Sequence, residues 1–287
     1  MRWPPYKHVF FDCDSTLTTV EGIDALAEAA GKKWRVEVLT RAAMDGELEL
    51  EDVYAKRLQA VRPTQGQVNE IRRIYKHNVV EDAAEVIAAL QTLGHQVYII
   101  SGGLAEPVRE FGVFLGVPPE NIRAVDLRYN TLTGRWWENP NERPNAEIRY
   151  LDYDDGALTV SDGKAEIVRQ LRGDHPGRAL LIGDGNSDLL ASRAVDLFVG
   201  YGGVITRPRV LAKAPCFIHS PSLAPLLALA AGPEALQQLR HTPHEAISQK
   251  SLNLIATGAI TFQNERLKTK FSQAEQTAHQ TVHPRPH

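Results

Sequence analysis

The chain has 287 residues, 43% of them apolar, and a formal net charge of −3 from 32 basic and 35 acidic residues. This length suffices for one α/β domain with a large insertion, or for two domains. The charge balance gives no basic excess for nucleic acid, and no stretch approaches the roughly 18 consecutive apolar residues of a membrane span. We therefore expect a small-molecule partner, with no nucleic acid and no membrane.

Cysteine content and the N-terminal residues predict a cytoplasmic protein. Only Cys13 and Cys216 are present, and the first residues lack the apolar segment of a signal peptide. A redox-sensing role for Cys13 is the less favoured alternative, because a buried thiol is usually an inert small apolar group.

Three apolar runs, at 9–11, 97–100 and 179–182, are predicted strands that end in polar residues. Helices and strands alternate up to Gly232, which predicts a parallel sheet covered on both faces. Ligands of such sheets bind outside the carboxyl ends of the strands. The polar residues at these ends are Asp12 and Asp14, then Ser101 and Gly102, then Asp184 and Asp188.

The element order predicts an α/β fold, with a Rossmann-like parallel sheet as the core, a helical cap inserted after the first strand, and a small β-flap. Apolar residues at helical spacing place the cap at 18–80. Turn signals between short alternating segments place the flap at about 126–163. The core then comprises residues 1–17 and 81–235.

Residues 236–287 are interpreted as a poorly ordered C-terminal tail, because the segment is rich in Gln, Thr and His. A metal-binding tail is the less favoured alternative, since only histidines 279 and 283 have the i, i+4 spacing of helical metal ligands.

The acidic residues predict phosphoryl transfer through a carboxylate nucleophile. Asp12 would attack phosphorus, and Asp14 would protonate the leaving alkoxide and later take a proton from water. Asp12 and Asp184 would hold Mg²⁺ together with a backbone carbonyl at Asp14, because Mg²⁺ prefers hard oxygen ligands. Asp188 would lie close behind, as a further ligand or as a neighbour of the ligands.

Three further residues are candidate phosphate ligands. The Ser101 hydroxyl and the Gly102 amide can donate to phosphoryl oxygens, and Lys164 can offset the negative charge of nucleophile and phosphate. Each motif alone is weak, but their shared order along the chain indicates a common site.

Glu21 and Arg57, both in the predicted cap, suggest an amino-acid substrate. A carboxylate and a guanidinium that face the phosphate site would match the ammonium and carboxylate groups of an amino acid. The alternative is a helix-edge arginine that reaches water and pairs with any acid, and spacing alone favours it.

Taken together, residues 9–232 resemble the phosphoserine phosphatases of the haloacid dehalogenase superfamily. The segments that carry the resemblance are Asp12-x-Asp14-Ser15-Thr16-Leu17, Glu21, Arg41-Ala42-Ala43-Met44-x-Gly46 with Arg57, Ile100-Ser101-Gly102-Gly103, Lys164, Ile182-Gly183-Asp184-Gly185-x-Ser187-Asp188, and Phe198-Val199-Gly200-Tyr201-Gly202-Gly203.

The resemblance implies Mg²⁺-dependent hydrolysis of O-phospho-L-serine to serine and phosphate through an aspartyl-phosphate on Asp12. Leu50 and Leu104 depart from the family, in which aromatic residues are usual, and the flap is longer than expected. By position, the implied substrate ligands are Glu21, Met44, Arg57, Ser101, Gly102, Lys164 and Ser187.

Other functions stay open at this point. A related enzyme could hydrolyse another small phosphomonoester, such as phosphothreonine, or transfer the phosphoryl group to an alcohol such as homoserine. A signalling receiver with a phosphorylated aspartate is an alternative of another class. Receivers generally carry the acceptor aspartate on a later strand and lack a helical cap, so the layout disfavours them.

Overall fold

The structure is a computed structural model that describes residues 3–130 and 148–282. Within these residues the strands are β1 (His8–Phe11), β2 (Gln96–Leu104), β3 (Ile122–Val125), β4 (Leu127–Tyr129), β5 (Tyr150–Tyr153), β6 (Ala179–Gly183), β7 (Leu197–Tyr201), β8 (Cys216–Ile218) and β9 (Ile260–Phe262). Seven of them form one sheet in the order β3-β2-β1-β6-β7-β8-β9. Among these described strands, only the β8–β9 pair of this sheet is antiparallel. The predicted α/β fold with a mainly parallel sheet is confirmed.

The helices of the described residues are α1 (Gly22–Ala29), α2 (Lys33–Asp45), α3 (Leu50–Val61), α4 (Gln65–His77), α5 (Ala83–Thr92), α6 (Ala105–Phe114), α7 (Lys164–Arg172), α8 (Asn186–Ala191), α9 (Pro208–Lys213), α10 (Ala224–Ala231), α11 (Glu245–Ala256) and α12 (Glu265–Val282). None of these helices combines the length and the apolar character that crossing a membrane requires.

The central strand β1 fixes where the polar strand ends meet. Val9, Phe10 and Phe11 are fully buried, as expected for a parallel strand covered on both faces. Phe11 lies beside Ile99 of β2 and Ile182 of β6 in the sheet register. Because these three residues are level, the residues that follow them emerge at the same edge of the sheet.

Four helices, α1 to α4, occupy the chain between β1 and α5, where the sequence predicts a helical insertion. Helix α4 begins at a capping box formed by Thr64 and Gln67. The Gln67 backbone N–H donates to the Thr64 hydroxyl (3.2 Å), and the Thr64 N–H donates to the Gln67 side-chain oxygen (2.9 Å). This reciprocal pair satisfies two backbone donors that the helix itself leaves unpaired.

Helix α4 is attached to the core through α6. The Glu110 carboxylate accepts hydrogen bonds from Arg72 (2.5 Å) and Lys76 (2.7 Å) of α4. The Tyr75 ring packs on Phe111, with centroids 5.4 Å apart. These contacts hold one face of α4 against α6.

Strands β4 and β5 form a separate two-stranded antiparallel sheet at the position of the predicted flap. Residues 131–147 lie outside the described residues. The flap as predicted, at about 126–163, is therefore described only at its two ends.

The C-terminal segment differs from the poorly ordered tail predicted for 236–287. Within the described part of this segment, residues 245–282 supply two helices and strand β9, which extends the sheet beside β8. In α12, Phe271, Ala274 and Ala278 are buried at helical spacing. Three apolar residues on one helix face suffice for packing, although the composition of the segment is mostly polar. Histidines 283 and 287 and the side chain of 279 lie outside the described part.

Replacement of Phe271 by alanine tests whether this segment packs on the core. Phe271 contacts Trp3 (centroids 5.0 Å apart) and Phe262 (5.6 Å) and is almost fully buried. We expect Phe271→Ala to lower the free energy of unfolding by about 3–5 kcal/mol, because loss of the ring leaves a cavity. Urea unfolding measures this change. The exposed Gln273 on the same helix serves as control, and equal losses for Phe271→Ala and Gln273→Ala would contradict the packing.

Candidate active site

One cavity lies where the ends of β1, β2 and β6 meet under the insertion helices. All but one of the site residues predicted from the sequence line it, and the exception, Asp184, lies beside Asp12. The predicted residues that line the cavity are Asp12, Asp14, Glu21, Met44, Arg57, Ser101, Gly102, Lys164, Ser187 and Asp188.

Lys164 lies at the start of α7 and is buried against two carboxylates. Its ammonium donates to Asp12 Oδ1 (2.5 Å) and to Asp188 Oδ1 (2.7 Å). Burial alone would lower the pKa of Lys164, but the charges of these two carboxylates raise it above its ordinary value. The preceding residue, Gly163, has no room for a side chain, because a Cβ there would overlap the backbone of Ala157.

Three buried acidic residues form a group that can hold a metal ion. Asp12, Asp184 and Asp188 each offer a carboxylate oxygen, and these oxygens lie within 4.8 Å of one another. Burial raises the pKa of Asp184 and of Asp188 to about 7, so charge at this point is costly without a cation. The all-oxygen donor set fits a hard divalent cation.

Arg207, which sequence reasoning missed, supplies a second cation at this group. Its Nε donates to Asp184 Oδ2 (2.8 Å), and its terminal nitrogens lie 3.4 Å from Asp45 and 3.6 Å from Glu21. Burial would lower the pKa of Arg207, but the charge of Asp184 and the hydrogen bond to it outweigh burial and raise it. Arg207 follows β7, which is another fully buried strand. A search for polar residues beyond that strand would have reached it.

Asp14 is held on both carboxylate oxygens by the insertion. The Tyr75 hydroxyl donates to Oδ1 (2.5 Å), and the Gly22 backbone N–H lies 3.3 Å from Oδ2. Burial raises the pKa of Asp14 to about 7, and the charge of Asp12 also raises it, whereas the Tyr75 hydrogen bond lowers it. Such a value suits a group that gives and takes a proton near neutral pH.

The Ser101-Gly102-Gly103 segment lies beside Asp14 in the wall of the cavity. The Ser101 hydroxyl accepts a hydrogen bond from the Gly103 N–H (2.9 Å). A Cβ at Gly103 would lie 3.0 Å from Ser101 Oγ and 3.3 Å from Asp14 Oδ2. A side chain at position 103 would therefore crowd both the hydroxyl and the carboxylate, at a point where Ser101, Gly103 and Asp14 line the cavity.

Arg57 is buried, which rules out the helix-edge arginine that the sequence spacing favours. Its side chain is 5% exposed and its Nη1 donates to Thr40 Oγ1 (3.3 Å), while its Nε has no partner among the described residues. No carboxylate of this described part lies within ion-pair distance of it. The Thr40 hydroxyl in turn donates to Asp24 (3.0 Å), and the Arg57 guanidinium lies 5.4 Å from the Tyr54 ring centroid.

Glu21 faces the same cavity from the start of α1. Its carboxylate accepts a hydrogen bond from Ser15 (2.9 Å). Burial, together with the charge of Asp14, raises the pKa of Glu21 to about 8, although Arg207 lowers it. A ligand cation placed beside Glu21 would stabilise the ionised carboxylate.

The remaining wall of the cavity is largely apolar. Its residues include Met44 and the two positions at which the sequence departs from the family pattern, Leu50 and Leu104. Tyr54, which the sequence reasoning did not select, also lines the cavity and donates from its hydroxyl to the Gly102 carbonyl (2.9 Å). This bond ties α3 to the segment at the end of β2.

The combination can support acyl-phosphate chemistry. The cavity holds a buried carboxylate beside a lysine, a second carboxylate with a pKa near neutrality, and an acidic group suited to a cation. Such a set is what a carboxylate nucleophile needs to attack a phosphate. The fold and site therefore define a hydrolase of the α/β class with an aspartate at the end of its first strand.

Comparison with known proteins agrees with this class. The family model described as haloacid dehalogenase-like hydrolase matches residues 9–193. The phosphoserine phosphatases of Drosophila melanogaster (32% identical, covering 73% of this chain and 73% of the relative) and Mus musculus (31%, 73% and 88%) are similar over 212 and 211 residues. A solved structure of a phospho-aspartyl intermediate analogue of phosphoserine phosphatase aligns with a TM-score of 0.63 at 23% identity, covering 78% of this chain and 98% of that one. The chain belongs to the haloacid dehalogenase-like hydrolase family.

Replacement of Arg207 by methionine tests its part in balancing the acidic group. We expect Arg207→Met to lower the free energy of unfolding of the metal-free protein by about 3–5 kcal/mol at about pH 8, because buried carboxylates lose their cation. Urea unfolding in chelator measures the loss, and excess divalent cation should restore part of it. Arg209→Met is the control, since Arg209 donates to the Gly46 carbonyl (3.1 Å) at the edge of the same region. Equal losses in both variants would refute the charge argument.

Proposed function

We propose that this protein is a Mg²⁺-dependent phosphatase that hydrolyses O-phospho-L-serine to L-serine and phosphate through an aspartyl-phosphate on Asp12. The observation that carries the proposal is the buried Arg57, whose Nε lacks a partner among the described residues, in the same cavity as the Asp12–Lys164 pair. The names of the relatives and of the solved phospho-aspartyl analogue support the same substrate and intermediate.

In the first step Asp12 would attack phosphorus. A bond forms between an Asp12 carboxylate oxygen and phosphorus, and the bond between phosphorus and the serine oxygen breaks. The proton that the leaving oxygen needs comes from Asp14, whose raised pKa keeps part of it protonated near neutral pH. Lys164, 2.5 Å from Asp12, offsets negative charge as nucleophile and phosphate approach each other.

In the second step water would attack phosphorus of the aspartyl-phosphate. Asp14, now ionised, takes a proton from this water, and the bond between Asp12 and phosphorus breaks. Phosphate leaves, and Asp12 and Asp14 return to their first states. Ser101 and Gly102 line the cavity, and the Ser101 hydroxyl and the Gly102 amide would donate to phosphoryl oxygens in both steps.

The residues that would hold Mg²⁺ are Asp12 and Asp184, with Asp188 beside them and a backbone carbonyl at Asp14. When bound, the ion would supply positive charge for the phosphoryl oxygens and the nucleophile. Lys164 and Arg207 already engage one oxygen each of Asp12 and Asp184, which orients these carboxylates. The assignment of Mg²⁺ rests on the oxygen donor set and the family.

The amino-acid part of the substrate would lie between Arg57 and Glu21. A substrate carboxylate satisfies the unpartnered Arg57 Nε, and a substrate ammonium offsets the charge of Glu21. Met44 and Ser187 border the same cavity and would complete the contacts to the substrate. Because Arg57 is buried without a carboxylate partner, binding of a substrate carboxylate beside it would be strongly favourable in free energy.

The proposal includes a cytoplasmic location. Cys13 and Cys216 are buried free thiols, and burial raises the pKa of both above the ordinary value of cysteine. Inert thiols of this kind are typical of proteins in a reducing compartment.

Replacement of the nucleophile tests the mechanism. We expect Asp12→Asn to abolish turnover of phosphoserine while circular dichroism and the melting temperature show an intact fold. Fluoroberyllate should bind wild-type protein only with Mg²⁺ present, and Asp12→Asn should not bind it, because the complex mimics the aspartyl-phosphate. Asp14→Asn is the matched variant: it should slow both formation and hydrolysis of the aspartyl-phosphate and still bind fluoroberyllate. Turnover near the wild-type rate in Asp12→Asn would show that the nucleophile is misassigned.

Replacement of Arg57 tests the substrate class. We expect Arg57→Ala to lower kcat/KM for phosphoserine at least about 30-fold, since truncation of one member of a buried charged pair costs about 2–5 kcal/mol. The value for phosphoethanolamine, which lacks the carboxylate, should change less than about threefold. Lys56→Ala, an exposed neighbour on α3, should leave both substrates unaffected. Equal losses on both substrates would exclude recognition of a carboxylate by Arg57.

The response to pH tests the metal site. The pKa values of Asp184 and Asp188 are about 7 in the folded protein, above their unfolded values, so the metal-free fold becomes less stable as pH rises toward 7. Metal binding requires the ionised carboxylates. We therefore expect saturating Mg²⁺ to raise the melting temperature more at about pH 8 than at about pH 5.5. Asp184→Asn should show a smaller rise, and the same rise at both pH values would count against this site.

A further inference from the structure

The acid/base carboxylate of Asp14 is held by a tyrosine hydroxyl from the far end of the insertion. Tyr75, on α4, donates to Asp14 Oδ1 at 2.5 Å, although the two residues lie 61 positions apart in the chain. The Tyr75 side chain is fully buried. A buried hydroxyl needs a hydrogen-bond partner, and the partner that Tyr75 has is Asp14.

The Tyr75 hydroxyl has little freedom to move. Its ring is fully buried and packs on Phe111 of α6, and the partly exposed ion pairs of Glu110 add to the contact between α4 and α6. The bond to Asp14 is therefore set by the core of the fold and by one helix of the insertion together. A carboxylate held by so constrained a donor has a defined orientation.

Gly22 makes room for this hydroxyl. A Cβ at Gly22 would overlap the Tyr75 hydroxyl oxygen and would lie 3.6 Å from Ile71. Because Gly22 is the first residue of the right-handed helix α1, the backbone by itself does not call for glycine there. The close approach of the hydroxyl does. Gly22 also contributes the N–H that lies 3.3 Å from Asp14 Oδ2.

The two oxygens of Asp14 are thus not equivalent. Oδ1 is engaged by the buried Tyr75 hydroxyl, whereas Oδ2 lies near the Gly22 N–H and next to Gly103, which lines the cavity. Asp14 lines the cavity that a substrate would occupy, and its Oδ1 is turned to the buried Tyr75, so Oδ2 is the oxygen that faces the leaving group.

We propose that Tyr75 is a positioning residue for the reaction, which acts by holding Asp14 Oδ1 so that Oδ2 carries the transferred proton. This inference rests on the proposed acid/base role of Asp14. As the bond between phosphorus and the leaving oxygen breaks, the proton on Oδ2 moves to that oxygen. The carboxylate left on Asp14 is stabilised by the Tyr75 hydroxyl on its other oxygen.

The inference has a kinetic signature that separates it from a structural role. A serine alkoxide is a poor leaving group and needs the proton of Asp14, whereas p-nitrophenolate leaves without protonation. Loss of the Tyr75 hydroxyl should therefore slow the first turnover of an alkyl phosphate and spare that of an aryl phosphate. A variant that only loosened the fold would slow both.

The experiment compares Tyr75→Phe with Tyr201→Phe in single-turnover assays with Mg²⁺. Tyr201 is a matched control, because its side chain is equally buried and its hydroxyl donates to the Pro221 carbonyl (2.6 Å) outside the cavity. In Tyr75→Phe we expect serine release from phosphoserine to slow about 10- to 100-fold, with the steady-state KM changed less than about threefold and p-nitrophenol release nearly unchanged. Equal slowing of both substrates, or a loss no larger than in Tyr201→Phe, would overturn the proposal.

A double-mutant cycle shows whether Tyr75 acts through Asp14. In an Asp14→Asn background, the further change Tyr75→Phe should cost less than about threefold, because the group that it positions is already gone. If the change costs as much in this background as in the wild-type protein, Tyr75 does not act through Asp14.

Gly22→Ala provides a second variant that keeps the tyrosine. The added methyl displaces the Tyr75 hydroxyl, so we expect the same selective loss on the alkyl phosphate. Combined with Tyr75→Phe, which removes the overlapping oxygen, Gly22→Ala should add little. Full activity of Gly22→Ala with an intact fold would contradict the proposal.

Failure of the proposed function stays distinguishable from failure of this inference. If the wild-type protein hydrolyses another alkyl phosphate, such as phosphoethanolamine, and not phosphoserine, the proposed assignment of phosphoserine as substrate is wrong. The same alkyl-to-aryl comparison with that substrate then still decides the role of Tyr75. A protein that turns over neither class of phosphate overturns both.

Discussion

The structure depends on one constraint: several carboxylates of like charge are buried around a single cavity. Five carboxylates surround the cavity, and three buried cations oppose them, which leaves an excess of two negative charges when every group is ionised. Burial raises the pKa values of four of these carboxyl groups, those of Asp14, Glu21, Asp184 and Asp188. Protons bound to these groups therefore offset part of the excess negative charge. A divalent cation would carry the missing positive charge. The carboxylates are Asp12, Asp14, Glu21, Asp184 and Asp188, and the cations are Arg57, Lys164 and Arg207.

Site residues at strand ends could be predicted from the sequence, because a short apolar run followed by Asp, Ser or Gly is a local signal. The rule that parallel strands end at one edge then brings Asp12, Ser101 and Asp184 together without any knowledge of the helices. The structure places them as this rule predicts, with Phe11, Ile99 and Ile182 level in the sheet. The roles assigned to these residues stay predictions.

Other parts of the site depend on which face a helix turns inward, and spacing does not specify that face. Arg57 is the clearest example, since its spacing favours a solvent-exposed arginine and the structure buries it. Tyr75 and Arg207 reach the acidic residues from α4 and from the loop before α9, at sequence separations of 61 and 23 residues. The C-terminal segment was misinterpreted for a related reason: its packing uses one narrow stripe, which average composition does not reveal.

The antiparallel strand β9 has a consequence for the behaviour of the chain in solution. By pairing with β8, it covers backbone groups that would otherwise form an open border of the sheet. Unpaired borders of this kind recruit strands from other molecules and promote aggregation. A shortened chain that stopped after α10 would retain every residue of the cavity. It would, however, expose the backbone of β8, Cys216–Ile218, to pairing with a strand of another molecule. The C-terminal segment therefore covers β8, places β9 at the border of the sheet instead, and contributes no group to the cavity.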